Sequence, residues 1–151
     1  MSKSVIEFLK QMHGWSFPVD PEKICMNMNV SFERVELPRY LTGYYDKEKR
    51  TIFINKSKNR YYYRFALAMA LREVMVNEQV SRYQKEKFAF ELLMPAEEFI
   101  EYWNKQTPAQ VMESARYFDL SPELVIKRAK QLIKEKKLVN QVFKNFSDLE
   151  D

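Results

Sequence analysis

The sequence predicts an α+β fold, mostly helical and single-domain, with a small antiparallel sheet of about three strands. Three observations predict it. Phe65 to Val76, FALAMALREVMV, is nearly unbroken apolar at helical length and contains no Gly or Pro, and a helix apolar almost all round belongs in a core. Leu41 to Tyr45 and Thr51 to Asn55 are short strand-like runs on either side of the charged stretch Asp46-Lys47-Glu48-Lys49-Arg50, the pattern of a hairpin. Asp20-Pro21-Glu22 and Ser121-Pro122-Glu123 each place an N-cap before a proline at the first helical position.

Taken in order, Val5, Ile6, Phe8 and Leu9 predict a helix from about Ser4 to Met12 that Gly14 ends. His13, the single histidine, reads as a helix-end or surface residue, since no second His or nearby Cys supports a ligand role. The Asp20-capped helix runs to about Asn29 with Ile24, Cys25 and Met28 at core spacing, and Cys25 reads as a small buried hydrophobe. Val30 to Leu37 is a strand closed by Pro38, and the hairpin follows. Tyr61, Tyr62 and Tyr63 lead into the central helix, which continues to about Val80. Those rings either pack the sheet or stack on a base or peptide. Lys85 to Met94 forms a second core helix ended by Pro95, and Ala96 opens a third carrying Phe99, Tyr102 and Trp103.

From Pro108 to Phe118 and from Ser121 onward, two helices flank the Asp119-Leu120 turn, with Ala115 and Val125 at helix-turn-helix spacing. This pair reads as a helical hairpin capping the core, with DNA contact as the alternative. Lys127, Arg128, Lys130, Lys134, Lys136 and Lys137 crowd its second helix. They form either a solvated face or a patch for nucleic acid or an acidic partner, with Lys127, Arg128, Lys130 and Lys134 as the candidate residues. The tail ends acidic, Asp148-Leu149-Glu150-Asp151, and is expected to fray.

Gly43-Tyr44-Tyr45-Asp46, Thr51-Ile52-Phe53-Ile54-Asn55, Arg64-Phe65-Ala66-Leu67-Ala68 and Phe88-Ala89-Phe90-Glu91-Leu92-Leu93-Met94-Pro95 together resemble the ImmA/IrrE family of zinc metallopeptidase-like proteins. The resemblance implies a zincin-like core, with a G-[FY]-x-D and T-I-x-[IV]-N hairpin followed by R-F-[TA]-[IL]-A-H-E-L-G-H and A-x-E-L-L-M-P. It also implies a metal site, and here the sequence departs. The His-Glu-x-x-His positions fall on Met69, Ala70 and Glu73, and the third ligand, a Glu in the family, aligns with Gln84. Two imidazoles at i and i+4 grip zinc, and the intervening Glu serves as general base. Met69 is a poor zinc ligand, Ala70 takes no proton, and Gln84 is a weak neutral ligand. The expectation is therefore no zinc, no cofactor and no catalysis. In the emptied site a Glu73–Lys87 ion pair is one expectation, with Gln84, Glu86 or Lys87 brought near Met69, and unrelated solvated side chains are the other.

The chain has 151 residues, of which 46% are hydrophobic, so it can bury a core as one domain. A net charge of +4 is too mild for a dedicated nucleic-acid binder. No segment approaches the roughly 18 apolar residues of a membrane span, and the start of the sequence lacks a signal-peptide pattern. Together with a single cysteine, this predicts a cytoplasmic protein. The expected organisation is a peptidase-like core at 1–106, the hairpin at 107–138 and a tail at 139–151.

Three functions follow. The first is a non-catalytic regulatory module that binds a protein partner. Family resemblance points to phage or mobile-element control and to a helix-turn-helix repressor as that partner. The second is a DNA-binding regulator using residues 108–137, and the third is a residual metallopeptidase.

Overall fold

The computed structural model describes residues 2–106 and 108–138, with side chains from Val5 onward. The expected tail at 139–151 lies outside the described residues. The chain divides into two compact units, residues 1–93 and 94–151, so the third core helix groups with the two that follow it.

The first unit begins with α1 (Ser2–Met12) and α2 (Pro21–Asn27). Val5, Phe8 and Leu9 are buried along one face of α1, and the Phe8 and Phe88 rings lie 6.0 Å apart. The N–H groups of His13 and Gly14 both donate to Leu9 O at 2.9 Å. Gly14, at φ +100°, takes the left-handed turn that ends the helix. Asp20 caps α2 as expected, its Oδ1 accepting from Glu22 N at 3.0 Å. His13 Nε2 in turn accepts from Asp20 N at 3.0 Å, so the lone histidine joins the two helices. Ile24 and Cys25 are fully buried.

Strands β1 (Ser31–Val35), β2 (Gly43–Asp46) and β3 (Thr51–Asn55) form one sheet in the order β1-β3-β2. The hairpin is antiparallel, with Gly43 opposite Ile54 and Asp46 opposite Thr51. The expectation of an antiparallel sheet fails at β1, which pairs with β3 in parallel, Ser31 opposite Thr51 and Val35 opposite Asn55. Burial explains the difference. Ile52 and Ile54 are almost wholly inaccessible, so β3 takes the centre, whereas β1 alternates between exposed and half-buried and suits an edge. The chain from 36 to 42 crosses to the other side of β3, and Asn55 holds it there. Its Nδ2 donates to the carbonyls of Leu37, Pro38 and Leu41 at 3.2, 3.0 and 2.9 Å, and its Oδ1 accepts from Ser57 N at 3.1 Å.

Helix α3 (Arg60–Val76) starts on an Asn59 cap and ends on Asn77 in the left-handed region. Every residue from Phe65 to Leu71 is buried, as its composition requires. It packs most extensively against α4 (Arg82–Leu93) and also against β2, β3 and α2. The Phe65 and Phe90 rings meet at 4.8 Å.

The second unit contains α5 (Ala96–Lys105), α6 (Gln110–Phe118) and α7 (Pro122–Lys134). Its core is aromatic. Phe99 stacks against Trp103 and Phe118 at 5.4 and 5.9 Å, and Tyr102 stacks on Tyr117 at 4.0 Å. The Tyr117 hydroxyl donates to Glu98 at 2.6 Å. The turn between α6 and α7 contains no glycine, and Asp119 takes the left-handed position at φ 56°. Ser121 Oγ then accepts from Leu124 N, the cap that the sequence predicts. Ala115 and Val125 are both buried at the expected positions of the helix-turn-helix-like hairpin.

Candidate functional site

Met69, Ala70 and Glu73 share one face of α3, since i, i+1 and i+4 span an arc of only about 100°. Met69 and Ala70 line a cavity of about 210 Å³ between α3, β2 and the start of α4. Thr42, Gly43 and Tyr44 form its strand side, and Arg82 and Lys85 form its α4 side. Glu73 stands at the junction with a second cavity of about 420 Å³, whose lining includes Tyr45, Lys47, Glu78 and Lys85.

The partner of Glu73 is Lys85. Lys85 Nζ lies 3.7 Å from Glu73 Oε2, with side chains 23% and 13% exposed, and the same carboxylate oxygen accepts from Val80 N at 3.2 Å. The pair expected with Lys87 does not form, and the helical period of α4 gives the reason. Arg82 and Lys85 line the cavity beside α3, whereas Lys87 lies two residues beyond Lys85, or roughly 200° around the helix. For the same reason Gln84 is exposed. Its backbone N–H donates to Ser81 Oγ at 3.2 Å, and its side chain is not among those lining the cavity. Lys85, a cation, therefore lines the cavity and Gln84 does not.

Gly43 sets the approach of β2 to β3 on the cavity's strand side. A Cβ there would lie 2.5 Å from the Phe53 carbonyl oxygen, so only glycine lets β2 approach β3 this closely. Asn55 N donates to Thr42 O at 2.8 Å, and antiparallel alternation then turns the backbone groups of Tyr44 towards β3 and those of Gly43 and Tyr45 to the outer edge.

A family model described as the IrrE N-terminal-like domain matches residues 25–130. The chain belongs to this family. No match is found among curated proteins. The IrrE N-terminal-like family is metallopeptidase-like, and the metal it implies can be tested against the donors present. They do not fit zinc. The cavity offers a thioether at Met69, a methyl at Ala70, one carboxylate at Glu73 and the cations Lys85 and Arg82. Among the described residues no three His, Cys, Asp or Glu side chains gather as a metal-holding group.

The second candidate surface lies on α7. Lys127, Lys130 and Lys134 are exposed at i, i+3 and i+7, along one face. Arg128 does not belong with them. It is 3% exposed, its Nε donates to Met94 O at 2.9 Å and its Nη1 donates to Gln131 Oε1 at 3.2 Å. The apolar positions Leu124, Val125, Ala129 and Leu132 place 128 on the inward face, a signal legible in the sequence behind the run of lysines.

Proposed function

We propose that this IrrE N-terminal-like domain is a non-catalytic pseudopeptidase that acts in the cytoplasm as a regulatory protein-binding module. One observation carries the reading: the Glu73–Lys85 ion pair occupies the cavity where catalysis requires a metal and a base. An ammonium beside the only carboxylate repels a dication, and Ala70 provides nothing to take a proton from water. What remains is a cleft bordered by the outer edge of β2, where Gly43 and Tyr45 present backbone groups to an extended partner strand. The partner proposed is a helix-turn-helix repressor of a phage or mobile element, bound and sequestered without cleavage.

The exposed row of Lys127, Lys130 and Lys134 favours a second reading, a DNA-binding regulator using residues 108–137. Residual metallopeptidase activity, the third reading, has the donor set against it. Capture of partners on the tagged chain, followed by mass spectrometry, separates these functions. An intact helix-turn-helix repressor as the main partner supports the first, DNA alone supports the second, and a cleaved repressor contradicts the pseudopeptidase.

A further inference from the structure

Lys56-Ser57-Lys58-Asn59-Arg60-Tyr61-Tyr62-Tyr63-Arg64 carries four cations, three consecutive tyrosines and no acid. The fold gathers further cations onto this stretch. Arg34 on β1 donates through Nη2 to the carbonyls of Lys58 and Lys56 at 2.5 and 3.4 Å. Lys58 Nζ lies 5.2 Å from the Tyr62 ring centroid, and the Arg60 guanidinium lies 5.6 Å from that of Tyr61. Arg82 at the start of α4 donates to the Tyr62 hydroxyl at 3.3 Å. The first turn of α3 contains no acidic residue. Glu36 lies 3.9 Å from Lys56 and Glu86 lies 3.2 Å from Arg82. Both pairs are solvated, the kind that contributes little and that a phosphate displaces.

The tyrosines divide by role. Tyr63 is buried and its hydroxyl donates to Glu22 at 2.7 Å, and Tyr62 packs towards Phe65 at 6.4 Å. Tyr61 is 37% exposed and Tyr40 is 86% exposed, so these two rings are open to a ligand. Tyr40 and Arg82 line one cavity, while Arg39 and Lys56 line an open groove of about 690 Å³.

We propose that the N-terminal end of α3, with Arg39, Tyr40, Lys56, Lys58, Arg60 and Tyr61, binds single-stranded nucleic acid at a site that adjoins the Glu73–Lys85 cleft through Tyr40 and does not use the α7 lysines. Cations spaced among exposed rings match a strand whose phosphates meet the charges while unpaired bases stack on the tyrosines. A duplex hides its base faces, and an acidic peptide satisfies the cations but leaves the rings unused.

The test is fluorescence anisotropy with labelled oligothymidylate and oligouridylate of about 20 nucleotides, longer than one site of this kind, and with a duplex of the same length. The parent binds a single strand more tightly than the duplex, and whichever of the two strands binds better assigns DNA or RNA as the ligand. Tyr61→Ala weakens binding about tenfold, the scale of one lost stacking contact, and Tyr61→Phe restores it. Lys58→Glu with Arg60→Glu weakens binding further and lowers the salt slope by about 0.7 per lost phosphate contact. Lys127→Glu with Lys130→Glu weakens binding of the single strand less than Lys58→Glu with Arg60→Glu does. If the charge reversal lowers the melting temperature, Lys58→Gln with Arg60→Gln carries the same comparison. No saturable binding near 50 mM salt, a duplex bound as tightly as a strand, full competition by polyglutamate, or loss through the Lys127/Lys130 variant alone would each overturn the proposal.

Discussion

Asn55 holds three backbone carbonyls and one N–H with a single amide, and it is 1% exposed. Replacing it with alanine leaves buried carbonyls without donors, at a cost of about 1–3 kcal/mol. Asn55→Ala should therefore lower the urea midpoint clearly with an unchanged slope, and an unmoved midpoint would mean that the 36–42 crossover is held by something else. Cys25 shows a different residue-scale effect. Burial first, then the charges of Glu22 and Asp20, push its thiol from 9.0 up to about 12. A raised pKa means that the folded state favours the protonated thiol, so its contribution to stability is complete below about pH 9 and is lost as pH rises towards 12. Native Cys25 should resist iodoacetamide at pH 8 and react readily in denaturant, and Cys25→Ala should flatten the fall in stability between pH 9 and 12. Rapid alkylation of the folded chain would contradict the burial assigned to it. Tyr117, raised to about 12 by burial and by its bond to Glu98, contributes the same sign of dependence at higher pH.

At the scale of elements, α3 and α4 meet through a core of rings and one ion pair. The Glu73–Lys85 distance of 3.7 Å is that of an ion pair longer than a good hydrogen bond, and both side chains retain some solvent. Its coupling is expected near the upper range of exposed pairs, about 1 kcal/mol. A double-mutant cycle with Glu73→Gln and Lys85→Met measures this, and a coupling indistinguishable from zero would show the two groups to be independent neighbours. Much at this scale was legible in the sequence. The caps Asp20 and Ser121 lie one residue before their helices because short polar side chains accept from the first free N–H groups, and the apolar Phe65–Leu71 run sits in the core. What was not legible depends on long-range contacts. The parallel pairing of β1 is decided by which strand buries both faces and by Asn55 reaching back across the crossover. Lys85 and Arg128 are intermediate: helical period places both on inward faces, but charge alone suggests solvent. The family resemblance aligns Gln84 with a ligand position, whereas the rotation of α4 turns Lys85 and not Gln84 into the cavity.

For the whole molecule, membership of the IrrE N-terminal-like family supplies a metallopeptidase-like frame, and the function proposed here is that this chain keeps the frame while changing the donors. On that reading Met69 and Ala70 take the place of polar groups that an empty site would leave without partners, each a liability of about 1–3 kcal/mol when buried, and Lys85 balances the carboxylate of Glu73. On the proposed function the fold does not depend on a metal to satisfy its centre, which is the condition for retaining the cleft as a docking surface. The most direct test of this account is the zinc content of the purified chain, measured by elemental analysis after dialysis against a weak chelator. The account predicts far less than one zinc per chain, with a melting temperature unchanged by added zinc; about one zinc retained per chain, with stability that falls when a strong chelator removes it, would contradict it.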